Sequence, residues 1–147
     1  MSTHQLNPSL LSRRLKPLYL GLLSSLGVYS VVVVALSQSS EGATPQAEDA
    51  AVLYSSLALG ACLLGMVINY TLLKPYKINK SRDPGGAVFR AFLISWVCFD
   101  LAAILGVVMV SLSGSAEHFW MILTVSALSM LSHPPFEGKI KRALGGR

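Results

Sequence analysis

Four apolar stretches, at about residues 17–37, 51–73, 87–112 and 116–132, constrain this chain more than any other feature. Each is near the ~20 residues that cross a hydrocarbon core about 30 Å thick, and together they use almost the whole sequence. A backbone amide without an internal partner costs several kcal/mol in lipid, so each stretch must be helical whatever its local propensity. The valine run from Val31 to Val34 is therefore expected as helix, not strand. With 52% hydrophobic and 13% charged residues and a mean hydropathy of +0.56, most soluble classes are excluded. Polar tracts, heptads, a glycine period and a set of more than two cysteines are also missing, which excludes disordered, coiled-coil, collagen-like and disulfide-stapled scaffolds. The expected class is all-α: one polytopic transmembrane domain over residues 1–147 with four transmembrane helices, ending in a basic tail at 133–147.

Basic residues predict the orientation. Arg13, Arg14 and Lys16 precede the first span, Lys74, Lys77, Lys80 and Arg82 lie between the second and third, and Lys139, Lys141, Arg142 and Arg147 follow the fourth. The connections at 38–50 and 113–116 hold no Lys or Arg, and the first carries Glu41, Glu48 and Asp49. The positive-inside rule then places both termini and the middle loop in the cytoplasm, in what reads as a bacterial inner membrane. The net charge of +5 sorts by membrane face, so it marks topology and contact with the lipid bilayer rather than nucleic-acid binding.

Aromatic residues are expected at the boundaries: Tyr19, Tyr70, Tyr76, Phe89 and Phe136 on the inner side, Tyr54, Phe119 and Trp120 on the outer. Pro17 suits a first helical position, and Pro75, Pro134 and Pro135 suit helix ends. The first span, with Ala35, Leu36 and Ser37 behind it, resembles a signal peptide with a cleavage site, but its apolar run is too long for that and it is expected to remain as a helix.

Little conventional chemistry is present. Cys62 and Cys98 fall at mid-span, where a thiol behaves as a small apolar group. His4, His118 and His133 share no helix at ligand spacing, so no metal or cofactor is expected. Glu117 beside His118 is the one acid–histidine neighbour pair, read as an interfacial cap. No phosphate loop, nucleophile elbow or dinucleotide fingerprint occurs, and no enzyme activity is expected. Small residues recur instead: Gly21, Ser24, Ser25 and Gly27 in the first span, Ser56, Gly60, Ala61 and Gly65 in the second, Ala102 and Gly106 in the third. Such residues let helix backbones approach closely, within a chain or between copies.

One group stands apart. Asp100 lies near the middle of the third span, where an aspartate costs about 2.5 to 3.5 kcal/mol on insertion scales and marks a functional site by default. Arg90, ten residues away at 100° each, falls on another face and is expected to snorkel to the headgroups. Candidate hydrogen-bond partners at similar depth are Tyr29, Ser55 or Ser56, and Thr124 or Ser126, with Asn69 nearer the cytoplasm. Desolvation disfavours the charged carboxylate, so a neutral, proton-binding Asp100 is expected.

The stretch 97–108, with Asp100, Ala103, Ile104 and Gly106, resembles the ion-carrying helix of the rotary ATPase c subunit, or proteolipid. In that family a mid-membrane carboxyl is followed by Ala, an aliphatic residue and Gly at these offsets, after a small-residue-rich helix and a basic loop. The resemblance covers residues 51–112, and it implies a proton-exchanging Asp100 within an oligomer. The chain departs from the pattern in having first and fourth spans, few alternating glycines, and Ser81, Arg82, Asp83 and Pro84 where the family has an Arg-Gln-Pro type loop. The expected function is that of a non-enzymatic membrane subunit packed against itself or other membrane subunits. In one version Asp100 carries protons as a proteolipid does, and in the other it is purely structural in an accessory or assembly subunit of a respiratory or transport complex.

Overall fold

The computed structural model describes residues 8–39, 45–74, 78, 81, 83–113 and 116–144. They form helices α1 (Pro8–Ser39), α2 (Pro45–Leu72), α3 (Pro84–Ser113), α4 (Glu117–Ser132) and α5 (Glu137–Ala143). No strand occurs among the described residues. Three helices are long and apolar enough to cross a membrane, over Pro8–Gln38, Ala51–Leu72 and Pro84–Ser113. The fourth, α4, has 16 residues and spans about 24 Å. The expected positions of Tyr76, Lys77, Lys80, Arg82, Glu41 and Pro75 lie outside the described residues.

Local chemistry explains the helix starts. Pro45 opens α2 and Pro84 opens α3, positions where the missing N–H costs nothing. Asp83 caps α3 by accepting a hydrogen bond from the Gly86 N–H at 2.9 Å. A Cβ on Gly86 would make the exposed Asp83 carboxylate shift from this position. The first helix departs from expectation. It begins at Pro8 and carries Pro17 in its interior, not at its start. Its first turns are held by tertiary contacts, with Leu15 buried, α1 against α5, and the Ser12 hydroxyl bonded to the Pro135 carbonyl at 2.9 Å. Packing thus stabilises helix where polar residues 13, 14 and 16 gave no apolar signal. The basic tail likewise contains helix, α5, whose Ile140 and Ala143 are buried.

α3 is the hub. It packs most extensively against α2, then against α4 and α1. Ser55 meets Met109 and Gly65 meets Ser95, Cys98 and Phe99, so α2 and α3 are antiparallel. Gly106 meets Phe119 and Ile122 while Trp96 reaches His133, so α4 is antiparallel to α3 as well. α1 lies parallel to α3, with Tyr19 beside Trp96 and Ser25 beside Asp100. Its inward residues are 12, 15, 19, 22, 26, 29, 33 and 36, all buried or half-buried. That 3–4 alternation is the narrow seam of coiled-coil packing. The opposite side of α1, including Leu20, Val28 and Val31, is exposed.

These directions bring Arg13, Arg14, Lys16, Lys74, Arg90, Lys139, Lys141 and Arg142 to one end of the bundle, and Asp49, Glu117 and His118 to the other. An aromatic cluster closes the basic end of the core. Trp96 lies 5.3 Å from both Tyr19 and Phe92, and its indole N–H donates to the His133 carbonyl at 3.2 Å. Tyr19 and Phe119 are therefore core residues, not boundary anchors: Phe119 is fully buried against Gly106, and the Tyr19 hydroxyl bonds the Met130 carbonyl. Tyr70, Phe136 and Trp120 are exposed near the helix ends.

Candidate functional site

Asp100 projects from the middle of α3 into the groove against α1, where it is half-buried. Two α1 hydroxyls hold its carboxyl group: Ser25 Oγ lies 2.5 Å from Oδ1 and Tyr29 Oη lies 3.3 Å from Oδ2. Ser25 Oγ also lies 2.6 Å from the Leu22 carbonyl oxygen of its own helix. The i, i+4 spacing of Ser25 and Tyr29 stacks both on one face of α1, one turn apart. Arg90 stays away, exposed at the basic end with its Nε bonded to the Gly86 carbonyl at 3.2 Å.

Of the expected partners, only Tyr29 reaches Asp100. Ser56 and Thr124 are exposed and satisfy themselves on their own helices, bonding the Val52 and Trp120 carbonyls. Ser126 is buried beside Cys62, with Oγ and Sγ 3.5 Å apart, and Ser55 bonds the Met109 sulfur. Asn69 is buried near the basic end of α2. Depth alone does not make a partner: these residues lie on α2 and α4, which pack on other sides of α3. Ser25, a small packing residue by sequence, is the partner at shortest distance. The signal that would have found it is the spacing of Ser25 four residues before Tyr29, which puts both on the same face of α1.

The packing residues divide similarly. Gly65, Ala102 and Gly106 are buried, and a Cβ on Gly65 would stand 2.7 Å from the Phe99 ring and 3.0 Å from the Ser95 carbonyl oxygen. Ala61 is half-buried. Gly60, expected on the same face, is exposed with nothing within 4 Å of a Cβ, because five residues separate it from Gly65 and turn it ~140° away. Gly21 and Gly27 on α1 also face open space. Glu117 and His118 are exposed at the start of α4. Among the described residues, no group of three or more His, Cys, Asp or Glu is placed to hold a metal ion.

Comparison with known proteins finds no matching family model, curated protein or solved structure. Function must therefore be argued from the carboxyl–hydroxyl cluster itself.

Proposed function

We propose that this chain is a non-enzymatic integral membrane subunit in which Asp100, holding a proton, clips α1 to α3. The observation that carries this reading is a count of hydrogens. Ser25 has one hydroxyl hydrogen and two oxygens within 2.6 Å, those of Leu22 and Asp100. With an ionised carboxylate, the single Ser25 hydrogen would have to be shared between both oxygens. A neutral Asp100 donates to Ser25, Ser25 donates to Leu22, and Tyr29 donates to Oδ2, which gives every contact its proton. The proposed topology has four spans, with α4 crossing at little tilt because of its length. Both termini and the basic end then face the cytoplasm, in a bacterial inner membrane. The outward faces of α1 and α2, with Gly21, Gly27 and Gly60 uncovered, would meet lipid, further copies or other membrane subunits.

A hydrophobic carbodiimide, which attacks protonated carboxyls, tests the proton. Modification at Asp100 in the folded protein is expected, and complete resistance of Asp100 would count against the reading. A second reading, favoured by the half-burial of Asp100 and by the proteolipid-like stretch 97–108, has the same proton exchanging during transport by an oligomer. Proton-dependent activity that survives Asp100→Asn excludes that carrier role, because an amide cannot carry the proton.

A further inference from the structure

A cavity of about 390 Å³ opens at the basic end of the bundle, between the C-terminal ends of α2 and α4 and helix α5. Lys74, Lys139 and Arg142 line it, and no carboxylate occurs among its described lining residues. Asn69 lines it too, 4% exposed, and its Nδ2 has no hydrogen-bond partner. Buried amide donors are nearly always paired, so this shielded one at the cavity wall is left wanting an acceptor. Two of the cations are held in position. Lys139 Nζ donates to the Ser132 carbonyl at 2.8 Å, and partial burial lowers its pKa below the ordinary lysine value. The Lys74 ammonium stands 4.8 Å from the centre of the Tyr70 ring. Leu73 and Ala143 add an apolar wall.

Three cations and a desolvated amide donor around one space suit a compact anion with several acceptor oxygens, and phosphate answers that description. We propose that this cavity binds a phosphate group, carried either by the headgroup of an anionic phospholipid or by a free solute. Basic pockets between helices at the cytoplasmic side of membrane proteins take such headgroups. The inference is independent of the role of Asp100, which lies in a different groove.

The test uses the full chain in phosphatidylcholine bilayers, doped with phosphatidylglycerol in one arm and given inorganic phosphate in the other, with thermal unfolding as the readout. Protection by phosphatidylglycerol alone identifies a headgroup site, and protection by phosphate identifies a site open to free anions. Both support the proposal. The exposed pair Lys74→Gln with Arg142→Gln is expected to raise the half-protecting concentration about tenfold or more. Asn69→Leu should weaken protection likewise and raise the melting temperature without anion, since it removes an unpartnered donor. The control pair Arg13→Gln with Arg14→Gln, outside the cavity, should leave the midpoint unchanged. Absence of protection in both arms overturns the proposal. So does a control pair that weakens protection as much as the cavity pair, because the response would then be to surface charge.

Discussion

Where α2 meets α3, Gly65 lies beneath Phe99, Cys98 and the Ser95 carbonyl, at distances that leave no room for a Cβ. Where α1 meets α3, the glycines of α1 face open space and the carboxyl of Asp100 reaches two hydroxyls. Lipid tails are as apolar as leucine, so helices in a bilayer are joined by close packing or by interhelical hydrogen bonds, not by the hydrophobic effect. This protein joins α2 to its central helix by close packing, and on the other side adds a carboxyl–hydroxyl cluster to the packed seam of α1. Packing fixes the α2–α3 hairpin by shape. The hydrogen-bonded seam leaves most of α1 uncovered, so α1 is the element whose attachment one residue can control.

Substitutions should separate the two modes. The largest effect is expected at Gly65: Gly65→Leu must push apart backbone as well as side chains and should cost about 3 kcal/mol or more in reversible unfolding from micelles. Gly60→Leu, on the open face of the same helix, should change stability by less than about 0.5 kcal/mol. Equal losses at both positions would show that close approach does not hold α2. Next comes Asp100→Leu, which strands the Tyr29 hydroxyl, leaves Ser25 only its bond to the Leu22 carbonyl, and should cost about 1 to 2 kcal/mol. Its loss should be local, with hydrogen exchange rising in α1 near residues 22–33 while α2 and α3 stay protected. Acceleration throughout the bundle would mean that Asp100 supports the core and not the α1 seam. The smallest change is Tyr19→Phe, which removes the bond to the Met130 carbonyl and keeps the ring against Trp96. About 0.6 kcal/mol is expected.

The long apolar helices and the isolation of Asp100 were legible from sequence because lipid leaves the backbone few alternatives. The N-terminal turns of α1 and the helix in the tail were not, since both form by packing on each other through Leu15, Ser12, Pro135 and Ile140 rather than through an apolar run. The faces of the helices were equally hidden. In water an inward stripe is apolar against a polar outside, but Val31 and Val33 are equally apolar here while one is exposed and the other buried. Partner choice for Asp100 inherited that ambiguity: depth could be counted along each helix, rotation could not. Only polar residues break the symmetry, and Ser25 with Tyr29 does so on α1.

The central claim is that Asp100 joins α1 to α3 as a neutral acid. Asp100→Asn tests it most directly, because an amide copies the neutral acid by donating to Ser25 Oγ and accepting from Tyr29. The account predicts that unfolding stability and α1 hydrogen exchange of Asp100→Asn stay within about 0.5 kcal/mol of the native protein. A loss as large as that of Asp100→Leu would contradict it, and would show that Asp100 works as a carboxylate.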